Sequence, residues 1–183
     1  SFVNDTVAQT NAYASVISKA ANAGNNLSPK WNTLTTELSN KLKNVARLIS
    51  GGLQTKIYVV QLGAFDTHDN QVVSGETGTG IHSNLLKELS DAVCAFQDDL
   101  NLLNVNNRVV GMTYSEFGRR IRSNAALGTD HGTAAPLFLF GTCIQKQILG
   151  DHPVIDTQVG IDEGVPMQYY FRDIYGRILY DWL

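Results

Sequence analysis

Apolar residues recur at helical spacing in four stretches of the chain and gather into short β-rich runs in three others. Between residues 2 and 22, Val3, Val7, Ala14, Ile17 and Ala21 share one face, and Ala23-Gly24-Asn25-Asn26 ends the pattern. Ser28 before Pro29 reads as an N-cap followed by the first helical position, where the missing proline N–H costs nothing. The helix it opens carries Leu34, Leu38, Leu42, Val45 and Ile49 and closes at Gly51-Gly52. A third helix, from 81 to about 103, is marked by Leu85, Leu89, Val93, Phe96, Leu100 and Leu103. The fourth lies at the far end, with Phe171, Ile174, Tyr175, Ile178, Leu179 and Trp182.

The runs at 57–62, 108–114 and 136–140 read as strands, the last closed by Gly141. Strand, amphipathic helix, strand predicts that 57–62 and 109–114 are parallel neighbours joined by a right-handed crossover. Residues 63–80 and 142–168 read as loop and irregular chain, and a further polar loop separates the second and third strands. The expected architecture is an α/β layered domain with a mostly parallel sheet. Residues 1–52 would form a helical lead-in and 53–183 the core that bears the chemistry. The chain opens at Ser1 without Met, and its last helix stops on the apolar Leu183 without a stop signal, so the expectation is part of a longer protein.

Composition narrows the function classes. Of 183 residues, 43% are hydrophobic and 17% charged, a globular balance. The formal net charge of −3 speaks against nucleic acid as the main partner. No apolar run reaches the roughly 20 residues of a membrane helix. Two cysteines, Cys94 and Cys143, cannot build a thiolate zinc site, although one disulfide stays arithmetically open.

In open parallel sheets, ligands bind beyond the carboxyl ends of the strands. Three polar clusters fall at such places: Phe65-Asp66-Thr67-His68-Asp69-Asn70-Gln71, Ser115-Glu116-Phe117-Gly118-Arg119 and Gly128-Thr129-Asp130-His131-Gly132. On extended backbone Asp66 and His68 share one side, so a carboxylate and an imidazole can hold one metal. Asp130-His131 in a turn can serve one ion or bridge two, and Glu116 can complete either set. Carboxylate and imidazole without thiolate suit Zn²⁺, Mn²⁺ or Fe better than Mg²⁺ or Ca²⁺. The plainer alternative stays open: the aspartates cap loops and the histidines make structural hydrogen bonds. Arg119, Arg120 and Arg122 suit an anionic substrate or a solvated surface equally. Residues 75–80 resemble a phosphate cradle without its lysine and read rather as a flexible loop. Cys94 reads as packing inside its helix, His82 at a helix start as a group supporting a metal ligand or simply exposed, and His152 as structural or exposed.

The three clusters, together with Phe171-Arg172-Asp173-Ile174-Tyr175 and Asp181-Trp182, resemble the domain-of-unknown-function 1501 family from about residue 55 onward. That family is similar to the alkaline phosphatase and sulfatase superfamily of metal-dependent hydrolases and mutases. The resemblance implies a three-layer α/β/α fold, a divalent metal, a small phosphate or sulfate ester as substrate, and export to the periplasm or cell exterior. It likens Asp66 and His68 to the superfamily's early ligand pair and His131, ahead of Pro136 and the 137–140 run, to its late ligand. Glu116 stands where the superfamily has an Asp-His pair, with Phe117 at the His; a second alignment puts Asp130-His131 there instead. The resemblance implies Asp66, His68, Glu116, Asp130 and His131 as ligands and Arg119 as the anion contact. It also places the nucleophile on an N-terminal strand outside this chain, so the chain alone is expected to be silent towards monoesters. The competing expectation is an exported binding or scaffold protein that keeps the fold without the chemistry.

Overall fold

A computed structural model describes residues 2–183, with side chains from residue 10 onward, so Val3 and Val7 lie outside the described side chains. The elements are α1 (Phe2–Ala23), a 3₁₀ turn (Pro29–Thr33), α2 (Glu37–Ser50), α3 (Ile81–Leu102), a second 3₁₀ turn (Asn106–Arg108), β1 (Gly111–Met112), β2 (Gly118–Ser123), β3 (Thr129–Gly132), β4 (Leu139–Phe140) and α4 (Phe171–Asp181). They divide between two compact units. The first comprises the chain up to Leu62 and Lys87–Val109, and the second comprises Gly63–Leu86 and Val110–Leu183. No described helix is long and apolar enough to cross a membrane.

The first unit is built on a hydrophobic core. Leu38, Leu42, Ala46 and Ile49 of α2 recur at steps of four and three and are buried, as are Ala92, Ala95, Phe96 and Leu100 of α3. Each large aliphatic or aromatic side chain so removed from water contributes about 1.5–3 kcal/mol. Gly51 permits the close approach of α1, since a Cβ there would lie 1.9 Å from the Ala20 carbonyl oxygen. The single helix expected from Ser28 is in fact two elements. Ser28 caps only the 3₁₀ turn, Leu34 is extended (φ −110°, ψ 119°), and Thr36 caps α2 by accepting from Ser39 N–H at 3.2 Å. The β-branched Thr33, Thr35 and Thr36 favour that interruption, because their hydroxyls offer the backbone local partners in place of the helical ladder.

One polar residue sits inside this core. Asp99 on α3 is fully buried, and its two oxygens accept from Asn26 Nδ2 (2.7 Å), Leu27 N (2.6 Å), Ser28 N (2.9 Å) and Trp31 Nε1 (2.8 Å). Those donors lie on the segment around the 3₁₀ turn. The carboxylate therefore supplies the acceptors that this non-helical backbone lacks within itself. Cys94, by contrast, is exposed and its thiol free. It lies opposite the Ala92–Phe96 stripe on the helix, which corrects the expectation that it packs.

The second unit contains two short antiparallel ladders. β2 pairs with β3 in the register Gly118↔Gly132, Arg119↔His131 and Ser123↔Thr129, with an irregularity between Arg119 and Ser123. β1 pairs with β4, Gly111↔Phe140 and Met112↔Leu139. The expected three-layer α/β/α fold with a mostly parallel sheet is therefore overturned. Residues 57–62 join no ladder, and Ile57 and Val59 are 62% and 69% exposed. The 108–114 run pairs antiparallel with the 136–140 run, not parallel with 57–62. β-branched composition states only that a segment tolerates extended backbone; the partner is a non-local choice. Here the polar stretch between the second and third expected strands itself folds into the β2–β3 hairpin and brings β4 back beside β1. Residues 63–80 hold one isolated bridge, Val73 to Glu76, and otherwise neither strand nor helix. The last helix forms as its periodicity predicts, yet none of its residues is buried.

Candidate metal centre

The site is built where the 65–72 loop lies along the β2–β3 hairpin. Backbone bonds join them: Asn70 N to Ala126 O (2.9 Å), Val72 N to Leu127 O (3.3 Å) and Thr129 N to Thr67 O (3.3 Å). The Gln71 side-chain oxygen accepts from the hydroxyls of Thr67 and Thr129, each at 2.8 Å. Gly128 is required at this seam, since a Cβ there would come within 2.2 Å of the His68 carbonyl oxygen. Asn124, at the start of the hairpin turn, accepts from Ala126 N and Gly128 N while its amide donates to His68 O (2.7 Å) and Asp130 Oδ1 (3.1 Å).

This scaffold brings together Asp66 and His68 from the loop and His131 from β3. Asp66 Oδ1 lies 2.8 Å from His131 Nε2 and 3.2 Å from His68 Nε2, and ligand atoms of the three residues all fall within 4.8 Å of one another. The two imidazole rings are 4.7 Å apart between centroids. Phe117 stacks flat on His131, 4.2 Å away and 7° from parallel, and the Arg119 guanidinium lies 4.9 Å from the centroid of the same Phe117 ring. The side chains of Asp66, His68 and His131 are 59%, 47% and 46% exposed, so the cluster opens to solvent.

Asp130 stands beside this trio. Its Oδ1 lies 3.0 Å from His68 Nδ1, the nitrogen facing away from Asp66, and its Oδ2 is 3.9 Å from Arg120 Nη1. Arg120 in turn pairs with Asp162 at 2.6 Å. The hydrogen bond from His131 holds the Asp66 carboxyl below its ordinary range against the opposing effect of desolvation, with the charges of His131, His68 and Arg119 adding in the same direction as the bond. For Asp130 the hydrogen bonds from His68 and then Asn124 act in the same direction.

Of the expected ligands, Glu116 is not brought in. It is exposed and makes no hydrogen bond or ion pair among the described residues. Arg119 does reach the site, but its guanidinium donates to the carbonyl oxygens of Phe65 and Thr129 and stands 3.5 Å from Asp66. It ties the loop to the hairpin. His82 packs edge-on to Phe65 at 5.9 Å, where burial, and then the charge of Arg119, lowers its affinity for a proton. Residues 75–80 close on themselves through Glu76 N to Val73 O and Thr79 N to Glu76 O, with the Thr79 hydroxyl on Glu76 as well, which leaves no phosphate cradle. His152 is exposed, its Nδ1 beside the Pro153 carbonyl. Asn124 and the roles of Gln71 and Phe117 escape sequence reasoning. The available signal was an Asn four residues before Gly128, a turn-forming pair between two extended segments.

Neither the curated proteins nor the solved structures yield a match to this chain. Residues 14–174, most of its length, match the profile of a family described as a protein of unknown function (DUF1501), and the chain belongs to that family.

Proposed function

We propose that this chain carries the divalent-metal site of a metal-dependent hydrolase acting on phosphate or sulfate esters, as its likeness to the phosphatase and sulfatase superfamily implies. The observation that carries the reading is the convergence of one carboxylate and two imidazoles on a single point. The Asp66 oxygen is 2.8 and 3.2 Å from the two Nε2 atoms. Neighbouring ligand atoms of a tetrahedral zinc site stand about 3.3 Å apart for bonds of about 2.0–2.1 Å, and both distances from the Asp66 oxygen lie near that value. Two nitrogens and one oxygen favour Zn²⁺ or Mn²⁺ over Mg²⁺ or Ca²⁺. Three protein ligands also leave a coordination position for a reactant, the pattern of catalytic rather than structural sites.

Bound there, a divalent ion supplies a Lewis acid that polarises an ester and stabilises developing charge. The protein's own part is positioning. Phe117 holds the plane of the His131 ring, and Arg119 locks the loop carbonyl next to Asp66 while adding positive charge beside an incoming anion. Family likeness further suggests a periplasmic or extracellular setting.

The deciding experiment is calorimetric titration of the chain with zinc and manganese, alongside elemental analysis of the purified protein. One equivalent should bind, and His131→Ala should weaken binding by about 100-fold or more. Absence of binding to the wild-type chain refutes the reading. In a longer protein that also contains the nucleophile, turnover of nitrophenyl phosphate or sulfate should vanish with His131→Ala. Metal binding without turnover there favours the scaffold.

A further inference from the structure

Resting on that metal reading, we propose that Asp130 is a positioning residue and not a ligand: it accepts the Nδ1–H of His68, fixes the tautomer of that ring, and so presents a lone pair on Nε2 to the point shared with Asp66 and His131. The two nitrogens of an imidazole have diverging lone pairs. A group bonded at Nδ1 therefore cannot share an ion with Nε2 of the same ring. His68 has Asp130 Oδ1 at 3.0 Å from Nδ1 and Asp66 Oδ1 at 3.2 Å from Nε2, so the ring sits between two carboxylates that address opposite edges.

A carboxylate oxygen accepts only, so the proton belongs on the nitrogen facing Asp130 whenever the other nitrogen is to bind a metal. With that tautomer, Nε2 and the Asp66 oxygen are two lone pairs facing each other at hydrogen-bond distance, an arrangement that a cation between them relieves. Asp130 is itself held: Asn124 donates to its Oδ1 at 3.1 Å, and Arg120 stands 3.9 Å from its Oδ2. The same Asn124 amide donates to the His68 backbone carbonyl at 2.7 Å, so one side chain sets both the backbone and the ring partner of this histidine. A metal-bound imidazole whose other N–H goes to a carboxylate is a recurrent arrangement, and loss of the carboxylate typically costs 10–100-fold in metal affinity.

The test joins long-range proton–nitrogen NMR of the ¹⁵N-labelled chain, metal-free at mildly alkaline pH, to zinc titration of wild type, Asp130→Ala and Asp130→Asn. His68 of the wild type should carry its proton on Nδ1. Asp130→Ala should shift that proton towards Nε2 and weaken zinc about 10–100-fold. Asp130→Asn keeps an acceptor oxygen and should restore the tautomer and part of the affinity. A wild-type His68 protonated on Nε2 overturns the proposal and needs no variant to fold. So does an affinity loss in Asp130→Ala with the tautomer unchanged, the signature of a direct ligand or of general damage. A wild type that has the Nδ1–H tautomer but binds no zinc supports the hydrogen bond assigned here and refutes only the metal reading.

Discussion

The two units hold their aspartates in opposite ways. In the first, Asp99 is fully buried and surrounded by four N–H donors. In the second, Asp66 is 59% exposed, and the same oxygen is approached by two imidazoles. The environments differ as sharply. Every buried hydrophobic residue among those described, from Ala20 to Val105, belongs to the first unit. The second has Thr67 as its buried side chain of note, while Ile148 and Val154 are 95% and 99% exposed. The first unit is thus stabilised by apolar burial with one saturated carboxylate inside it. The second, around its site, is held by a lattice of polar bonds through Gln71, Asn124 and Arg119. A carboxylate whose acceptors are all used is a structural part; one left open beside imidazoles is available to a ligand.

The largest effect should come from emptying the saturated site. Asp99→Ala leaves Leu27 N, Ser28 N and Trp31 Nε1 without their acceptor, while Asn26 Nδ2 keeps the Lys43 carbonyl; at roughly 1 kcal/mol each, urea unfolding followed by tryptophan fluorescence should show a loss of about 3 kcal/mol. Asp66→Ala should change stability by less than about 1 kcal/mol, as exposed polar pairs do. Equal losses in the two variants would erase the distinction between the units.

A smaller effect should follow from the ring that backs the site. Phe117→Ala removes the face stacked on His131, an interaction of about 0.5–1.5 kcal/mol, so zinc affinity should fall about 3–10-fold without loss of the ligands. Unchanged affinity in a titration would mean that β3 alone holds the ring.

The smallest effect concerns acid. The Ser28 hydroxyl and then Lys30 hold Asp98, in the first unit, below the ordinary carboxyl range, and His131 does the same for Asp66 in the second. A carboxyl depressed on folding contributes stability above its unfolded value, and that contribution is lost as pH falls through the folded value. Both should therefore act fully at neutral pH and fade only below about pH 4. Carbon-13 titration of the carboxyl signals checks this directly: a midpoint at or above the unfolded value for Asp98 would remove the bond to Ser28 from the account.

The sequence by itself determined the helices, because their apolar periodicity is a local property read over a few turns: 2–22, 81–103 and the terminal helix all form close to where the pattern puts them. It also marked Asp66, His68 and His131 as candidate ligands, since their neighbours promised extended or turning backbone. Tertiary structure alone decided the rest. Strand partners are chosen across tens of residues, so β-rich composition could not show that 108–114 pairs with 136–140 or that 57–62 pairs with nothing. Spacing could not tell that Glu116 stays outside the cluster, or that Asp130 lies on the far edge of the His68 ring, because both depend on the side from which the hairpin meets the loop. Asp99 was invisible for the same reason. An aspartate on an apolar helix face looks like a flaw until the four donors that require it are folded against it from residues 26–31.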